Sequence, residues 1–326
     1  MASSATDRWL PSATRERLAK RAALLATVRQ FFETRSVLEV ETPMLVNAAV
    51  TDVNLRPVEL ALGDRRLFLQ TSPEYAMKRL LAAGMGDVYQ LCKVVRGDER
   101  SRLHNPEFTI LEWYRVGFEM TGLIQEVAAL LDALVTRVGS TARALRLVSY
   151  REVFQTSLQI DPLDASTEDL AKIAATHGLT GHHLITLGRD ELLDFLMGAV
   201  IGPTLGRGEW LALTHYPASQ AALAQLDPAD PRVALRFEIY ADGIELANGF
   251  QELADANEQR TRFMADNATR CAQGLPEMPI DEPLLAALEA GLPACSGVAL
   301  GFDRAMMIAV GAKNIEEVVS FTIETA

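Results

Sequence analysis

The 326-residue sequence predicts an α+β fold, with a central antiparallel sheet flanked by helices, on three observations. β-rich runs crowd residues 37–114, a hairpin signal occupies 233–250, and helical periodicity governs the entry segment and the stretch 122–210. In chain order, residues 12–35 repeat Leu18, Leu25, Val28 and Phe32 at helical spacing behind a cap at Ser12 or Thr14. A short strand, VLEVETPML, follows and stops at Pro43, and further strands are expected at DVNLRPVEL, RRLFLQT, GDVYQLCKVV and FTILEWY. Residues 122–210 read as a helical insertion, with Ser166 and Asp169 in capping-box order. The run VALRFEIY, then Asp242-Gly243, then GIELANGF makes the hairpin, and a helix over about 253–272 ends at Gly274 and Pro276. Finally GVALGFDRAMMIAVG reads as strand, glycine, helix. Residues 1–11 form an N-terminal extension, and 12–326 one domain.

Bulk properties exclude several classes. Apolar content of 49% with 23% charged residues is that of a soluble globular chain. No apolar run approaches the ~20 residues that span a bilayer, and the first residues lack a secretory core, so no membrane role and a cytoplasmic location are expected. Cys92, Cys271 and Cys295 lie far apart in sequence, without zinc spacing. His177, His182 and His183 sit near glycines in a loop, where a metal role is disfavoured. The net charge of −12 argues against gripping a nucleic-acid backbone and suits a basic protein partner.

Three constellations carry chemistry. In RGDERSRLHNPEFTILEWYR, Arg96 ends one strand and Phe108 opens the next, with His104 and Asn105 between them. A guanidinium fork suits phosphate oxygens and an aromatic face suits a base, although a salt-bridged hairpin explains the same residues. In GIELANGFQEL, Glu245 and Glu252 stand seven apart, an odd separation that puts them on opposite faces of an unbroken strand. A break at Asn248-Gly249 would let both meet one Mg²⁺; alternatively one of them binds a substrate ammonium, or both are ordinary outward-facing charges. In SGVALGFDR, Gly301 permits a close turn, and Arg304 falls in the first helical turn, where the dipole disfavours a cation unless an anion binds there. Together these groups suit a bent nucleoside triphosphate and its metal.

These segments resemble a known family. VLEVETPML is similar to the first signature of class II aminoacyl-tRNA synthetases, VVRGDERSRLHNPEFTILEWYR to the second and GVALGFDR to the third. TSPEYAMKRLL, HNPEFT and GIELANGFQEL resemble the lysyl-specific branch. The likeness runs from about residue 15 onward and is weakest through 140–210. Lysyl-tRNA synthetases carry an anticodon-binding domain ahead of the first signature, where this chain is expected to have none. With the EWYRVGFEM context, the chain therefore resembles the stand-alone paralogues that attach (R)-β-lysine to a lysine of elongation factor P.

The resemblance implies roles for particular residues. Ser72, Pro73, Glu74, Tyr114 and Glu252 would line the amino-acid pocket. Arg96, Gly97, Asp98, His104, Asn105, Glu245, Leu246, Gly301 and Arg304 would contact ATP, with Phe108 stacked on adenine. Arg96, Glu252 and Arg304 would be catalytic, and Glu245 and Glu252 would reach Mg²⁺. The implied substrates are ATP, (R)-β-lysine or lysine, and elongation factor P, handled by a homodimer, with tRNA disfavoured as acceptor. Two spellings depart from the family's. Asp98 stands where a glutamate is common, and Ala299 where a glycine is, which reshapes the pocket in a direction consistent with a β-amino acid. A truncated synthetase charging RNA and a non-catalytic amino-acid sensor are the competing expectations.

Overall fold

The computed structural model describes residues 9–181 and 186–326, so His182 and His183 lie outside the described residues. Helix α1 (Arg15–Glu33) starts at Thr14, whose hydroxyl accepts the Arg17 N–H, and buries Leu24, Val28, Phe31 and Phe32. The strands that follow are β1 (Leu38–Glu39), β2 (Leu45–Val46), β3 (Glu59–Leu62), β4 (Arg65–Leu69), β5 (Val88–Val95) and β6 (Glu107–Val116), with α2 (Glu74–Ala82) before β5. The first signature contributes less strand than its composition suggests. Only Leu38 and Glu39 pair, in parallel with β5, before Pro43 redirects the chain.

The remaining elements are α3 (Met120–Arg137), β7 (Leu145–Ser149), α4 (Tyr150–Leu158), α5 (Thr167–Thr176), α6 (Arg189–Phe195), β8 (Trp210–Pro217), β9 (Val233–Ala241), β10 (Ile244–Gln251), α7 (Ala256–Ala272), α8 (Glu282–Gly291), β11 (Cys295–Gly301) and α9 (Phe302–Val310). Among the described residues, one sheet has the order β1-β5-β6-β11-β10-β9-β8-β7, and a smaller one has β2-β4-β3. Its middle is antiparallel, as expected, while the edge pairs β1–β5 and β7–β8 are parallel.

The stretch 122–210 is less uniform than its helical periodicity. Helix α3 is apolar on most sides because Leu123, Ile124, Val127, Leu130, Leu131 and Leu134 all enter the main core beside α1 and α9. Strand β7 is short and half exposed, so it leaves little alternation to read, yet it extends the sheet through β8. Helices α4 to α6 pack a core of their own on that edge, around Phe154, Leu170, Leu193 and Ile201. A π-helical stretch, Leu196–Ile201, continues α6 and lets the chain turn back toward β8.

One buried ion pair joins the entry helix to the second and third signatures. Arg21 of α1 donates through Nη1 to Asp303 Oδ1 at 2.6 Å and through Nη2 to Thr109 Oγ1 at 2.7 Å. Asp303 Oδ2 accepts the Thr109 N–H at 2.9 Å. Helix α1, strand β6 and helix α9 are thereby held in one register. Asp303→Ala strands a largely buried guanidinium and is expected to cost about 3–5 kcal/mol of unfolding free energy, read as a lower urea midpoint.

Candidate active site

The sheet's middle strands β6, β11, β10 and β9 open on one face into a cavity of about 930 Å³. Ser72, Glu74, Glu112, Tyr114, Asn248 and Glu252 line it, together with Arg96 and Ala299. Its floor requires glycine at position 297. A Cβ there would stand 2.3 Å from the Tyr114 ring and 2.4 Å from Glu252 Oε1.

Three carboxylates converge on this floor, and one lysine stands among them. Lys78, on the buried face of α2, puts Nζ 2.6 Å from Glu252 Oε2 and 2.8 Å from Glu74 Oε1, with side chains of Lys78 and Glu252 each 1% exposed. Glu112 accepts from Ser72 Oγ and from the Tyr114 hydroxyl, both at 2.7 Å. Ser72 Oγ also accepts the Glu74 N–H at 3.0 Å, and Pro73 caps α2 from a buried position. Burial drives Glu112 and Glu252 toward their neutral forms. It pushes Glu112 up to about 8, helped by the charge of Glu74, and Glu252 to about 7 against the pull of Lys78. Lys78 is raised because its two acid partners outweigh its own desolvation.

The structure therefore brings Ser72, Pro73, Glu74, Tyr114 and Glu252 to one place, and adds Glu112, Lys78 and Asn248. Glu112 lies in FTILEWY, where a charge between apolar neighbours was a usable signal. Lys78 left no signal, since a lysine on an amphipathic helix ordinarily faces water.

The metal pair needs correction. Strand β10 breaks its register between Glu245 and Ala247, so the irregularity sits at Leu246 and not at Asn248-Gly249. Gly249 is instead required by close packing, since a Cβ would meet the Phe237 ring at 2.5 Å. The extra residue returns Glu245 and Glu252 to the same face, but about six strand steps, on the order of 20 Å, apart. They cannot share one ion. Glu245 faces Glu238 of β9 instead, across a smaller recess of about 190 Å³ that both line. Loss of water and the Glu238 carboxylate push Glu245 up to about 7. Among the described residues no cluster of three or more histidines, cysteines or acids is arranged to hold a metal. Two facing carboxylates still fit Mg²⁺, which takes few protein ligands when phosphates supply the rest.

Arg236 bridges the two hollows. It donates to Asn248 Oδ1 at 3.2 Å, to the Gln220 carbonyl at 2.7 Å and to Glu238 Oε1 at 2.6 Å.

The arginines and their loop lie beside these hollows. Arg96 donates to the Thr71 carbonyl at 3.3 Å and pairs with Glu99, its guanidinium 5.1 Å from the Phe108 ring centre. Arg304 folds back from α9 to the Glu245 carbonyl at 2.9 Å and to His104 Nε2. Burial and the adjacent Arg304 hold His104 below its usual range, so it is neutral, and the tautomer that fits donates Nδ1–H to Ser101. Gly97 packs against the Arg56 carbonyl, where a Cβ would sit at 3.3 Å, and exposed Asp98 faces Arg56 at 3.4 Å. Leu246 is buried in the main core, beneath Gly301. Asn105 is 7% exposed, and its amide bonds backbone at both ends: Nδ2 donates to the Glu107 carbonyl and Oδ1 accepts the Ile323 N–H.

This sheet and these signatures define a class. The family described as tRNA synthetases class II (D, K and N) matches residues 7–325, and the chain belongs to it. Among its relatives, the elongation factor P–(R)-β-lysine ligase of Klebsiella pneumoniae subsp. pneumoniae is 50% identical over 329 residues, covering 99% of this chain and all of that protein. The identically named protein of Salmonella paratyphi B is 48% identical over the same span.

Because Glu112 takes up a proton more readily folded than unfolded, its contribution to stability is present below about pH 4.5 and fades as pH rises toward about 8. In the unliganded protein, Glu112→Gln should reduce the loss of urea midpoint between about pH 5.5 and about pH 8.5 relative to the parent. Midpoints measured for both proteins at the two pH values check this.

Proposed function

We propose that this chain is an ATP-dependent ligase that activates (R)-β-lysine as an adenylate and transfers it to a lysine side chain of elongation factor P. The cavity floor carries the reading: Glu74, Glu112 and Glu252 offer three carboxylates against the single ammonium of Lys78, leaving two for a substrate with two ammonium groups. Relatives that match end to end bear the name of this activity.

In the first step the amino-acid carboxylate, already ionised at neutral pH, attacks the α-phosphorus of ATP; an O–P bond forms and pyrophosphate leaves. Arg96, at the cavity's edge, stabilises charge on the α-phosphate, and Arg304 holds the γ-phosphate end. Phe108 offers adenine a face. Glu238 and Glu245 would hold Mg²⁺, which when bound neutralises charge on the departing phosphates. Most of the acceleration comes from alignment, which can supply roughly 7–11 kcal/mol. In the second step the neutral amine of the acceptor lysine attacks the anhydride carbonyl, the C–O bond to AMP breaks, and the amine gives up a proton.

Residues 12–326 act as one catalytic domain in this reading, working in the cytoplasm. Among the described residues no helix is long and apolar enough to cross a membrane. We also infer a homodimer built on the first signature, where Leu38, Met44 and Leu45 remain 52%, 43% and 42% exposed. Sedimentation of the parent against Leu38→Glu checks this: the variant should run as a monomer.

Incubation with ATP, each lysine isomer, elongation factor P and tRNA tests the main reading, with intact mass of the factor and charging of the RNA as readouts. A mass gain on the factor with (R)-β-lysine supports it, and label on tRNA alone overturns it. Glu252→Gln should lower (R)-β-lysine-dependent pyrophosphate exchange by about 10- to 100-fold, since a charged hydrogen bond is worth roughly 1.5–3 kcal/mol. Arg304→Ala should raise KM for ATP and lower turnover in the same assay.

A further inference from the structure

The family resemblance gave Asn105 a direct contact with nucleotide, and the structure shows its amide bonded to backbone at both ends. One of those ends belongs to the segment that follows α9. Its base is fixed in the core: Ile315, Val318 and Val319 are buried, Arg21 Nη1 donates to the Val318 carbonyl at 3.2 Å, and the Ser12 N–H donates to the Ser320 carbonyl at 2.7 Å. The segment touches the loop 100–105 on both sides of that base. The Ile315 N–H donates to the Arg102 carbonyl at 2.9 Å, and Arg102 Nη1 donates to the Lys313 carbonyl at 2.6 Å. At the tip, the Ile323 N–H donates to Asn105 Oδ1 at 3.0 Å, Thr322 and Thr325 close a turn, and Glu324 pairs with Arg100.

We propose that residues 313–326 form a strap that positions the nucleotide-binding loop, with Asn105 as the positioning residue that receives it. The preceding residue, His104, is the one that meets Arg304, so an ordered Asn105 sets where the second signature's loop touches the third signature's helix. The part-buried bond to Asn105 dominates. Arg100 and Glu324 are 67% and 56% exposed, and a pair so open to water contributes little. That the loop serves a nucleotide rests on the function proposed above; that the strap orders the loop does not.

The main-chain donor can be removed alone. Ile323→Pro deletes the N–H given to Asn105, whereas Ile323→Ala keeps it and trims a side chain that is 53% exposed. Hydrogen exchange should accelerate across 100–105 in Ile323→Pro and not in Ile323→Ala, while exchange in β10 and β11 stays unchanged. Pyrophosphate exchange should then show KM for ATP raised about five- to tenfold in the proline variant alone, with KM for the amino acid unmoved, as expected for one lost hydrogen bond. Unchanged exchange in 100–105, equal effects of proline and alanine, or a matched rise in both KM values would overturn the strap. Accelerated loop exchange without any effect of ATP on either protein supports the strap and overturns the nucleotide reading instead.

Discussion

A lysine ammonium held between two acids makes the floor of the cavity possible. Glu74, Glu112 and Glu252 stand close together out of bulk water, and three ionised carboxylates in that setting would repel one another and lose hydration together. Lys78 relieves Glu74 and Glu252, while Glu112, bound by a serine and a tyrosine, is driven toward its neutral form. The cavity can therefore be built empty without unfolding, yet keeps capacity to ionise when cationic groups arrive. In the function proposed above, a diamine would supply such groups.

The sheet gives this floor its shape. Strands β6, β11 and β10 lie side by side, and Gly297 and Gly249 let a tyrosine ring, a glutamate and a phenylalanine cross where a Cβ would collide. The irregularity at Leu246 then sorts the acids of β10 into two hollows. Glu252 serves the large one and Glu245, beside Glu238, the small one, with Arg236 bonded to groups in both. A single strand thus presents one acid to each of two hollows.

Much of this was legible in one dimension. The hairpin at 233–250, the strand-glycine-helix of 295–310 and the entry helix follow from local rules of alternation, turn residues and capping, which act over a few residues and leave marks in their order. The signature segments also marked Ser72, Glu74, Tyr114 and Glu252, which the fold collects around one cavity. The short strand β7 and the role of α3 in the main core were not marked, because a half-exposed edge and a helix apolar on most sides carry weak periodicity.

The sequence by itself determined which elements form and which residue types are gathered for chemistry, since propensity and spacing are properties of neighbours along the chain. Tertiary structure decided the partnerships: Lys78 with two glutamates, Glu245 with Glu238 and not Glu252, and Asn105 with Ile323. Each joins atoms brought together by strand register or helix packing. One added residue in a strand reverses every side chain beyond it, and such an irregularity depends on neighbouring strands that the local order of residues does not reveal.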